Sequence, residues 1–111
     1  MRLPLALFLV MLLTSISPLG FAADAPAVYE KNCASCHGAD GHGRHSDALK
    51  AEIPDLRSKK VQDLTDEQLY DGIAKGTRHK EYAHGFLYRG LKEKDIRELV
   101  KYIRTLTPNT K

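Results

Sequence analysis

Cys33-Ala34-Ser35-Cys36-His37 sets two thiols three residues apart and an imidazole directly after them, and the chain has no other cysteine. Three kinds of chemistry compete for such a group. A structural zinc site needs a second pair of ligands at metal-binding spacing, and no further cysteine supplies it. A redox dithiol expects a βαβ setting, which the chain's pattern does not provide. The remaining chemistry is covalent attachment of haem. Each thiol adds across a vinyl group to give a thioether, and two intervening residues let both sulfurs reach one porphyrin edge. The histidine that follows comes up beneath the iron as proximal ligand. One covalent haem c held by Cys33, Cys36 and His37 is therefore the expected cofactor.

Thioether haem is assembled outside the cytoplasm, and the start of the chain agrees with export. Arg2 gives a positive n-region, Leu3 to Leu13 is almost entirely apolar, and small or turn-forming residues follow through Pro18, Gly20, Ala22 and Ala23. This reads as a signal peptide over residues 1–22, leaving a domain over residues 23–111 and a periplasmic location. The apolar run falls short of the roughly 20 residues of an ordinary membrane span, so the domain is not expected to span a membrane once the leader is cleaved. The whole chain of 111 residues carries 17 Lys and Arg against 14 Asp and Glu. Loss of Arg2 with the leader reduces the net charge from +3 to +2. The basic residues are interleaved with acidic ones, so no nucleic-acid footprint is present. A single domain of this size buries a modest core and often relies on a metal or cofactor.

The elements that would position the motif read as helices. A short one covers Ala27 to about Asn32, with Val28 and Tyr29 apolar. After the motif, Gly38-Ala39-Asp40-Gly41-His42-Gly43 offers the positive φ of a tight reversal. Thr65-Asp66-Glu67-Gln68 is a capping box, and the helix it opens runs through Leu69, Tyr70 and Ile73 to stop near Gly76. A last helix begins near Lys94 and Asp95; Ile96, Leu99, Val100, Ile103 and Leu106 form its amphipathic stripe, and Pro108 closes it. Strand patterns are absent throughout, so the expected fold is all-α.

With these features the sequence resembles the small class I cytochromes c from Ala27 to Leu106. The resemblance implies that fold, wrapped around one haem, with the first and last helices crossing where Tyr29 meets Leu99 or Tyr102. It also implies a role for Ile53-Pro54-Asp55-Leu56, which is similar to the family's Pro-Asp-Leu segment. There the Pro54 carbonyl would accept a hydrogen bond from the proximal His37 and make it a stronger ligand. The family often starts its last helix with Ser or Thr; Lys92 stands near that point, a weaker cap.

The family's usual sixth ligand is methionine, and here the chain departs from it. Met1 and Met11 are the only methionines, and both lie in the leader. The family runs from that methionine to a Leu seven residues on and an Ile twelve on. Counting back from Leu91 and Ile96 reaches His84 both times, with Phe86 in the aromatic position. His84 is thus the expected second axial ligand beside His37. His79 is the runner-up, because a loop holding Gly76 and Gly85 could present either histidine, and Lys80 and Tyr82 are weaker. His42 and His45 read as surface or capping groups. Imidazole favours ferric iron more than a thioether does, so a lowered reduction potential is expected.

The function expected is electron transfer rather than enzymatic catalysis, by a monomer with transient redox partner proteins. Lys31, Lys59, Lys60, Lys75 and Lys80 would form a diffuse basic rim that steers an acidic partner. The alternative is a haem protein whose sixth site is open or labile and binds small gases or acts as a weak peroxidase or sensor.

Overall fold

The apolar stripe in the last third of the chain has helical period, and it forms a helix in the computed structural model, which describes residues 24–46, 51–79 and 85–106. The described elements run α1 (Ala25–Asn32), α2 (Ala34–His37), β1 (Arg44–Ser46), β2 (Ala51–Ile53), α3 (Lys59–Gln62), α4 (Asp66–Ala74) and α5 (Glu93–Thr105). The expected leader, residues 1–22, lies outside the described residues, and no described helix is long and apolar enough to cross a membrane.

α5 organises the molecule. Ile96 and Leu99 are fully buried, and Val100 and Ile103 nearly so. One side of this stripe packs with Leu69, Tyr70 and Ala74 of α4 and with Phe86, with Leu56, Val61, Leu64, Ile73, Leu91 and Leu106 closing the margins. Where α5 meets α1, the Tyr29 and Tyr102 rings lie 5.2 Å apart, tilted by 60°. The expected crossing of first and last helices is therefore made through Tyr102. Burying these side chains contributes about 1.5–3 kcal/mol each, enough to fix three helices as a frame for the loops between them.

Polar ties close the ends of that frame. Thr65 Oγ1 accepts the Gln68 N–H at 3.1 Å and Gln68 Oε1 accepts the Thr65 N–H at 2.9 Å, so the expected capping box forms. α4 ends at Ala74, and Gly76, at φ +73°, turns the chain out of the helix. Arg104 donates to the Gln62 and Leu64 carbonyls and to Asp66, and Gln62 Nε2 donates to the Leu56 and Ile103 carbonyls. These bonds satisfy the Gln62 carbonyl at the end of α3, the Ile103 carbonyl in the last turn of α5 and the Leu56 and Leu64 carbonyls on either side of α3.

One feature departs from the sequence reading. The sequence shows no strand pattern, yet β1 and β2 pair antiparallel with Arg44 opposite Ile53, His45 opposite Glu52 and Ser46 opposite Ala51. Three residues per strand are too few to show a period of two, so the ladder is set by the loop geometry that brings 43 to 54. The last helix begins at Glu93, beside the expected start, with Lys92 as its N-cap. Lysine has no acceptor to offer the first turn. The reciprocal half of the cap is present, since Asp95 Oδ2 accepts the Lys92 N–H at 3.1 Å. Lys92→Thr supplies the missing acceptor and is expected to raise stability by about 0.5–1 kcal/mol. A denaturant midpoint that stays level or falls would contradict this.

Candidate functional site

The two thiols stand at the ends of one helical turn. Cys33 ends α1, with its N–H donating to the Tyr29 carbonyl at 2.8 Å, and the next turn closes with His37 N–H to the Cys33 carbonyl at 2.9 Å. Both cysteines are free and half-buried. Burial, aided by Cys36 nearby, pushes the Cys33 thiol up to about 11, so it stays neutral at cellular pH. Burial also holds His37 below the ordinary histidine range, against the opposing influence of the nearby Pro54 carbonyl. The result is a neutral imidazole, the form that binds a metal, near the carbonyl expected to accept a hydrogen bond from its ring N–H.

The loop after His37 is built to bring Pro54 there. Tyr29, buried between α1 and α5, donates its hydroxyl to the Gly38 carbonyl at 2.7 Å. Burial drives that phenol well above the usual tyrosine range, so it remains a donor. Gly43 N–H donates to the His37 carbonyl at 2.7 Å, and Leu56 N–H donates to the Gly41 carbonyl at 2.8 Å. Gly43, at φ +74°, passes so close to the 53–54 backbone that a Cβ would land 2.7 Å from the Pro54 oxygen and nearer still to the Ile53 oxygen. Only glycine fits there.

Around this turn lies a charged cluster that the sequence reading missed. Asp55 Oδ1 accepts the Arg57 N–H at 2.8 Å and Nε at 3.0 Å, and Oδ2 accepts from the guanidinium at 3.1 Å. The same guanidinium reaches Asp40 at 3.8 Å and contacts His42 Nδ1. His42 thus has the surface role expected of it; its N–H also donates to Asp40 Oδ1 at 2.9 Å. The partners come from two loops fifteen residues apart, and no local spacing announces them.

Hydrogen bonds from Arg57 hold the Asp55 carboxyl below its ordinary 3.8. A depressed folded value means the contribution to stability is complete above about 3.8 and disappears as pH falls through the folded value. Asp55→Asn is therefore expected to destabilise the haem-loaded protein at about pH 7, with the gap to the unsubstituted protein narrowing below about pH 4. Denaturant unfolding across that range checks it; an equal gap throughout would contradict it.

The second face of the site is described in part. His79 is half-buried, with its N–H donating to the Gly76 carbonyl at 3.0 Å. Burial, and secondarily His37, holds its imidazole below the ordinary range, which puts the turn after α4 within electrostatic reach of His37. His84, Lys80 and Tyr82 lie outside the described residues. The chain that follows is anchored: Phe86 N–H donates to the Ile73 carbonyl at 3.0 Å, and the Phe86 side chain is buried. His45 sits on β1, opposite Glu52. Of the expected basic rim, Lys59 pairs with Asp63 and Lys75 with Asp71, whereas Lys31 and Lys60 have no ion-pair partner among the described residues.

Comparison with known proteins agrees with this geometry. The family model for cytochrome c matches residues 22–107. A solved structure titled "KustC0563 c-type cytochrome" is similar at 26% identity, covering 77% of this chain and 99% of that one, with a TM-score of 0.61. No curated protein matches.

Proposed function

Because the chain belongs to the cytochrome c family, a family of covalent haem c proteins that serve in electron transfer, we propose that it is an exported monohaem carrier with imidazole at both axial positions, from His37 and His84. The single observation that carries this reading is the donor set: beyond Met11 the chain has no methionine, while histidines occur at 79 and 84. The residues present fit the group. Two free thiols stand one helical turn apart, and a neutral imidazole follows. A hydrogen bond from the His37 ring to the nearby Pro54 carbonyl would leave the other ring nitrogen for iron. When bound, the haem supplies one-electron exchange at iron.

The protein's part is attachment, orientation and field. Cys33 and Cys36 hold the group by thioethers. Pro54 fixes the His37 ring and strengthens it as a donor. His84 precedes Gly85 in the sequence and stands two residues before Phe86, whose side chain is buried. Replacing methionine by imidazole lowers the potential relative to a His/Met protein of similar exposure. Lys31 and Lys60, free of ion pairs among the described residues, are available to steer transient acidic redox partners in the periplasm.

One observation favours His79 as the alternative sixth ligand: it is half-buried in the turn after α4, near enough to His37 for the two rings to influence each other electrostatically. Single replacements separate the two. His84→Ala is expected to convert low-spin ferric haem to high-spin, with His79→Ala leaving the spectrum unchanged. The reverse pattern assigns His79, and no change in either variant contradicts both assignments.

A further inference from the structure

Neither attachment nor axial ligation accounts for the ionic cluster beside Pro54. Asp55 receives three hydrogen bonds from Arg57, one from its backbone and two from its side chain. A carboxylate so held at the residue after Pro54 leaves the 54–57 turn little rotational freedom, and Ser58 N–H closes the turn on the Asp55 carbonyl at 3.1 Å. The same guanidinium reaches Asp40 and His42 in the loop that follows His37. That loop is already tied to the turn through Leu56 N–H and the Gly41 carbonyl. Arg57 therefore staples the loop that follows His37 to the turn that carries Pro54, whose carbonyl lies near the His37 ring, and its side chain is only 9% exposed.

We infer that Arg57 and Asp55 are positioning residues that hold the Pro54 carbonyl against the His37 imidazole and so set how strongly that imidazole donates to iron. The inference rests on the proposed ligand role of His37. A carbonyl that accepts the ring N–H raises the basicity of the opposite nitrogen, and outer partners of this kind tune a bound metal. A stronger donor favours ferric iron, so loosening the staple moves the equilibrium toward the ferrous form. A role through charge alone behaves differently. Removing the Arg57 cation would favour ferric iron, removing the Asp55 anion would favour ferrous iron, and Arg57→Lys, which keeps the charge but loses the planar fork, would change nothing.

The test uses the haem-loaded protein, with Lys94→Gln, an exposed position on α5, as a surface control. Two quantities are read in Arg57→Lys and in the charge-balanced Asp55→Asn/Arg57→Gln double variant. One is the reduction equilibrium; the other is the hydrogen-exchange rate of the His37 ring N–H by NMR in the ferrous state. Both variants are expected to shift reduction toward the ferrous form by about threefold or more and to speed ring N–H exchange by about tenfold. Unchanged values, or a change in only one of the two quantities, would overturn the positioning role. Where one variant fails to take up haem, the other gives the same reading. The ligand reading itself is judged in the unsubstituted protein: if no resonance of an iron-bound His37 is found there, that reading fails. Its presence, with both quantities unaltered in the variants, would sink the positioning role alone.

Discussion

Replacing Gly43 with alanine is expected to destabilise the haem-loaded protein by about 3 kcal/mol or more and to lower the fraction of chains that acquire haem. Two costs add. The backbone at φ +74° lies where an L side chain loses about 1–2 kcal/mol. The added methyl also meets backbone atoms rather than a flexible side chain, including the Pro54 oxygen at 2.7 Å and its carbonyl carbon at 2.8 Å. Backbone held by a β-ladder on one side and a stapled turn on the other cannot yield cheaply, and forced overpacking costs about 1–3 kcal/mol. Gly90 supplies the control. It has φ +96°, and a methyl added there would meet nothing within 4 Å, so Gly90→Ala should show the strain cost alone. Equilibrium unfolding of both variants checks the pair. Equal losses would show that the approach of Gly43 to Pro54 carries no energetic weight.

Leu99→Ala is expected to cost about 2–5 kcal/mol, the usual range for truncating a large apolar side chain in a packed core. Leu99 is fully buried on the stripe of α5, the helix that packs both with α1 and with α4. A cavity in this stripe loosens the helix against which α1 packs, and with it Tyr29, whose hydroxyl holds the Gly38 carbonyl of the haem-motif loop. In a domain this small, each kcal/mol corresponds to about 4–8 °C in melting temperature. A fall of less than about 3 °C would mean that α5 is not the organising element of the core.

Legibility in the sequence follows the range of the interaction. The haem motif, the Thr65 capping box, the glycine stop at Gly76 and the α5 stripe are each local patterns, whose physics is complete within a few residues of chain. The capping box, the glycine stop and the stripe stand where the spacing places them. The α1–α5 crossing needs the family resemblance, because nothing in Tyr29 itself points to a partner 73 positions on. The hairpin and α3 escape because segments of three and four residues carry no measurable period. The Arg57 cluster escapes for a different reason. Its acceptors at 40, 42 and 55 belong to loops whose mutual approach is set by Gly43 and by Leu56 bonding to Gly41, a three-dimensional fact with no one-dimensional signature. Lys92 is a poor cap on its side-chain chemistry, yet the reciprocal bond to Asp95 lets α5 begin there all the same.

Imidazole, and not methionine or solvent, is proposed to complete the iron site opposite His37, and everything said of the potential depends on it. The ferric haem spectrum of the purified protein, taken by optical absorption together with electron paramagnetic resonance, probes that ligand without any substitution. The expected result is low-spin haem with the g-values of two imidazole ligands, no long-wavelength charge-transfer band of methionine-bound iron, and low-spin haem again on reduction. High-spin ferric haem, with rapid carbon monoxide uptake by the reduced protein, would contradict it and point instead to an open, ligand-binding site.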